Sequence, residues 1–162
     1  MRTAAALLIL LICSAWGFRR SLLMKKRCAL LRELRLMTEQ YSIEIACTAP
    51  TLEELARNSG GEFGRLLREC QGTETDIRAA WSSAVERLST YGWCSGEELQ
   101  MLRELGRELG TCPAESQVSL LKLYSARLET LTAAAEKKSE QQGRMYRSGG
   151  VLAGLGAAVM LL

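Results

Sequence analysis

Leu23, Leu30, Leu34, Met37, Tyr41 and Ile45 follow one another at steps of seven, four, three, four and four residues. That spacing returns each side chain to one helix face and predicts a helix from about Arg19 to Cys47. "TAPTLEELARNSGG" then breaks and restarts the pattern. Pro50 disfavours helix at the residue before it, Thr51 and Glu54 have capping-box spacing, and Gly60 is placed for a left-handed C-terminal cap. A brief third helix, "EFGRLLRECQ", ends near Gly72. A fourth, from Glu74 to about Thr90, aligns Ile77, Trp81, Val85 and Leu88, with Trp81 as the core anchor. The fifth opens on the capping-box pair Ser95 and Glu98, presents Leu99, Leu102, Leu105 and Leu109, and stops at Gly110. The sixth runs from about Pro113 to Arg147 along Val118, Leu121, Tyr124, Leu128, Leu131 and Ala135.

The two ends depart from this amphipathic pattern. Thr3 to Phe18 is an uncharged run with one arginine before it and five basic residues in the ten after it: Arg19, Arg20, Lys25, Lys26 and Arg27. A cleaved signal peptide places its charge before the apolar core. Cys13, Ser14 and Ala15 imitate a processing site, but Ile12 is bulky where a lipoprotein signal has a small residue. A retained anchor fits the charge order better, and the positive-inside rule keeps the residues after Phe18 in the cytoplasm. At the other end Lys137, Lys138, Arg144 and Arg147 precede the uncharged stretch from Ser148 to Leu162. Its last twelve residues reach only about 18 Å as a helix, against about 30 Å of hydrocarbon, so this segment needs bilayer thinning or neighbouring helices. The expected architecture is all-α: a compact six-helix bundle at 19–147, flanked by membrane helices at 1–18 and 148–162.

Composition agrees, since only two prolines occur and aromatic residues are 6% of the chain. From Thr38 to Ser148 there are 13 basic and 17 acidic residues, so the body is mildly acidic and basic character is confined to the flank. A basic run directly after an apolar segment marks a membrane side rather than a nucleic-acid site. Six cysteines lie 15 to 24 residues apart with no C-x-x-C pair and no histidine, which leaves no metal-ligand pattern. In a cytoplasmic body they are reduced thiols packed as small hydrophobes; in an exported one an even count would favour disulfides.

Without histidine a Ser-His site is excluded, and no phosphate-binding G-x-x-x-x-G-K-[ST] loop occurs. The pairs Glu53 with Glu54 and Glu97 with Glu98 fit first-turn capping and dipole roles. No catalytic, cofactor-binding or metal residue is assigned, and the chain is read as a non-enzyme. Gly150, Ala153, Gly154 and Ala157 form a small-residue face suited to close helix pairing within a membrane.

Several stretches together resemble the stage III sporulation protein AB family of endospore-forming bacteria. They are the anchor ending "WGF", "LRELRLMTEQYSIEIACTAPTLEELA", "AAWSSAVE", "LRELGRELG" followed by Gln117 and Leu121, and the closing "GGVLAGLGAAVMLL". The "GTCPAESQ" turn departs from the family's pattern, with Cys112 and Pro113 where an acidic residue is usual. The resemblance implies a membrane component of the channel complex between mother cell and forespore, in the outer forespore membrane on the mother-cell side. Its soluble part is similar to the cytoplasmic domain of type II secretion F-type platform proteins. It further implies docking of a cytoplasmic secretion-type ATPase, stage III sporulation protein AA, contacts with other sporulation channel proteins, and homo-oligomerisation as an option. The rival reading is an exported or membrane-surface helical scaffold or sensor with disulfides.

Overall fold

The computed structural model describes the backbone of residues 2–161 and the side chains of residues 15, 16 and 18–141. Among these the structure is all-helical, with six helices and no strand: α1 Arg2–Thr48, α2 Leu52–Asn58, α3 Gly61–Gln71, α4 Ile77–Thr90, α5 Gly96–Glu108 and α6 Ala114–Leu161. Two compact units are present, one of Ala29–Thr132 and one of Met1–Cys28 with Ala133–Leu162. The expected flanking membrane helices are not separate elements: the apolar ends continue α1 and α6. Among the described residues no helix is long and apolar enough to cross a membrane. The side chains of residues 1–14 and 148–162 lie outside that set.

Helix boundaries follow local chemistry. Pro50 ends α1, and Ala49 takes the left-handed turn at φ 45°, its N–H donating to the Ile45 carbonyl at 3.2 Å. Thr51 and Ser95 cap α2 and α5, and the reciprocal Glu54 and Glu98 carboxylates complete both capping boxes. The left-handed cap expected at Gly60 is corrected: Gly60 is extended at φ −87° and precedes α3, while Gly61 has φ +75°. Helix α4 starts at Ile77 rather than Glu74, because the Asp76 carboxylate accepts the Arg78 N–H and fixes the first turn there. Gln117 closes the turn between α5 and α6: its side-chain oxygen accepts the Gly110 N–H at 3.3 Å, and its amide donates to the Cys112 carbonyl at 2.6 Å.

The core of the Ala29–Thr132 unit begins on the inner face of α1, where Leu30, Leu31, Leu34, Met37, Tyr41 and Ile45 are buried. Leu55, Phe63, Leu66, Leu67, Trp81, Val85, Leu102, Leu121 and Leu128 join them. Each such large apolar side chain removed from water contributes about 1.5–3 kcal/mol. Cys70 is fully buried, and burial pushes its thiol pKa up. The Tyr41 hydroxyl bonds Ser59, whose own hydroxyl donates to the Leu55 carbonyl at 2.8 Å, while Arg68 donates to the Ser59 carbonyl. Ser59 therefore ties α1, α2 and α3 at one point. On the outside, Arg35 pairs with Glu39 at 2.9 Å and with Glu129 of α6 at 3.4 Å, and Ser125 donates to Glu39 at 3.1 Å. The Arg35 hydrogen bond holds the Glu39 carboxyl below its ordinary pKa.

Candidate functional site

Trp81 lies at the contact between α4 and α5 and is 2% exposed. Its indole N–H donates to the Leu102 carbonyl at 2.8 Å, and the Phe63 ring meets it edge-on with centroids 5.1 Å apart. Such an aromatic pair contributes about 0.5–1.5 kcal/mol beyond its buried area. Gly106 lies one turn after Leu102, and a Cβ there would fall 2.7 Å from the indole Cγ and closer still to Cδ1 and Nε1. Helix α5 reaches this distance from the ring only with glycine at that position.

Beside this contact a cleft of about 400 Å³ opens between the two helices. Arg78 and Ser82 of α4 form one wall, Arg103 and Arg107 of α5 form the other, and Trp81 and Gly106 also line it. Arg103 and Arg107 are four residues apart and share a helix face, whereas Glu104 and Glu108 lie about 100° further round. No acidic side chain lines the cleft, and among the described residues none of the three guanidinium groups is held in an ion pair. Arg78 also borders a second cleft of about 320 Å³, lined by Pro50, Leu52, Leu55, Ile77 and Leu109 and by Gln117. Thr51, Gly110 and Gln117 make the second recess mixed in character, and Arg78 borders both.

Sequence reasoning identifies Trp81 but passes over Arg78, Arg103, Arg107 and Gly106. Each arginine alone reads as part of a solvated helix face. The available signal was "RELGRE", in which Gly106 interrupts a strongly helical run three residues after Arg103 and one before Arg107, arginines that repeat at one turn.

In the other unit, Arg19, Arg20, Lys25 and Lys26 are exposed and Arg27 is half-buried. Trp16 and Phe18, just before them, are 79% and 58% exposed. The helix-pairing candidates Gly150, Ala153, Gly154 and Ala157 lie outside the described side chains, as do Arg144 and Arg147. Among the described residues no cluster of acidic or thiol side chains is placed to hold a metal ion. The five described cysteines, Cys28, Cys47, Cys70, Cys94 and Cys112, are unbridged.

The model of the stage III sporulation protein AB family matches residues 2–162. Stage III sporulation protein AB of Bacillus subtilis (strain 168) is 22% identical over 162 residues, covering 94% of this chain and 95% of that protein. No solved structure gives a significant match. The family match over residues 2–162, with the relative of the same name covered almost end to end, leads to one assignment: the chain belongs to the stage III sporulation protein AB family.

Proposed function

We propose that this chain is a non-enzymatic, membrane-attached platform of the channel complex that joins mother cell and forespore during endospore formation. The observation that carries the reading is the order of exposed residues along α1. Trp16 and Phe18 are followed at once by Arg19 and Arg20, all four exposed. Exposed aromatic rings at the end of an apolar run, then cations, match the interfacial belt and positive flank of a membrane anchor whose chain continues into the cytoplasm. The Ser148 to Leu162 stretch supplies the second attachment, with Gly150, Ala153, Gly154 and Ala157 as its pairing face. Family membership gives the sporulation role, and the secretion-type ATPase, stage III sporulation protein AA, is the proposed cytoplasmic partner.

Topology is tested with a membrane-impermeant thiol reagent on sporulating cells. Cys47 and Cys112 are exposed and Cys70 is buried, so the first two are the reporters. Labelling only after lysis supports a cytoplasmic body; labelling of intact cells overturns it and favours an exported body. Docking is tested by co-purification from membranes. Recovery of the ATPase with the full-length chain supports the platform reading, and recovery of other channel components without the ATPase removes the docking step.

A further inference from the structure

We infer that the two clefts joined at Arg78 form one docking site for a protein segment that carries carboxylates beside an apolar side chain. Arg78, Arg103 and Arg107 face the first cleft without an acidic neighbour in its lining, although the chain from Thr38 to Ser148 has more acidic than basic residues. Three cations around one recess repel one another and are relieved by an anionic occupant. Guanidinium groups match carboxylates in planar, paired hydrogen bonds. The second cleft offers Leu52, Leu55, Ile77 and Leu109 to an apolar side chain, and Arg78 lines both clefts. A small anion would meet the arginines but leave Leu52, Leu55, Ile77 and Leu109 uncovered.

The charge pattern also selects against nucleic acid. Three arginines neutralise few phosphates, and the mildly acidic body repels a polyanion beyond them. Trp81 is 2% exposed, so the first cleft presents no aromatic face for a base to stack upon. The inference stands apart from the ATPase reading, because it specifies the chemistry of the bound segment and not the protein that bears it.

The test uses the full-length chain in lipid nanodiscs and a short fluorescein-labelled peptide of glutamates around one leucine, followed by fluorescence anisotropy. Saturable binding that weakens with added salt is expected, and the double variant Arg103→Glu with Arg107→Glu should weaken it about tenfold or more, roughly 1.4 kcal/mol. Lys122→Glu, exposed on α6 and outside both linings, should leave it within about twofold, less than roughly 0.5 kcal/mol. Arg78→Gln, at an exposed position bordering both clefts, gives the same loss if the double variant unfolds. A peptide with glutamine for glutamate, or serine for leucine, should bind more weakly. Several results would overturn the proposal: binding insensitive to the arginine variants, equal binding without the leucine, full displacement by millimolar inorganic phosphate, or tighter binding of single-stranded polyuridylate.

Discussion

Glu33 on α1 accepts the backbone N–H of Glu62 at 2.9 Å, so α3 is capped by a side chain 29 residues upstream. Its own N-cap, Gly60, has no side chain to do so. Replacing Glu33 with alanine should cost about 1 kcal/mol, the usual value of a lost cap. Glu33→Gln keeps an acceptor and should cost less. Urea unfolding of both variants checks this, and equal losses would show that the carboxylate charge matters more than the hydrogen bond.

Gly106→Ala should be among the more damaging single-methyl changes in the chain, at about 1–3 kcal/mol, because the added carbon must displace the Trp81 ring. Gly96→Ala is the control, since nothing lies within 4 Å of a Cβ there. Thermal unfolding should separate the two. Comparable midpoints would mean that the α4 and α5 contact yields without loss.

Ala49 holds a left-handed conformation that favours glycine. Ala49→Gly should stabilise the fold by about 0.5–1 kcal/mol, the strain relieved less the added freedom of the unfolded chain. A higher urea midpoint with an unchanged slope is the expected result.

Burial pushes the Tyr41 hydroxyl up to about 12. The unfolded chain releases this proton near pH 10, while the folded chain retains it. Stability from this group is therefore complete below pH 10 and is lost as pH rises toward 12, by up to about 2–3 kcal/mol. Urea unfolding between pH 8 and 11.5 should show the fall, and Tyr41→Phe should flatten it; parallel profiles for the two proteins would remove Tyr41 as its source.

What the sequence disclosed was governed by the range of each interaction. The capping boxes at Thr51 and Ser95 were legible because donor and acceptor lie three residues apart. The buried ladders of α4 and α5 were legible from their period, as at Trp81, Val85 and Leu102. Asp76 was obscured because "TETD" offers several capping side chains in a row. Gly60 and Gly61 are adjacent, and the left-handed one is set by the Glu33 cap arriving from α1, which no local pattern encodes. The arginine cleft was illegible for the same reason: Arg78 meets Arg103 and Arg107 only after α4 and α5 have packed.

The tie between Glu39 and Ser125 spans 86 residues, which has a consequence during synthesis. At roughly 5–20 residues per second, Ser125 is made about 4–17 s after Glu39. Throughout that interval α1 lacks its α6 neighbour, while α3, α4 and α5 can pack on one another as they emerge. The nascent chain thus passes through a stage in which four or five helices have gathered and one flank awaits closure, the stage at which a holding chaperone would be most useful.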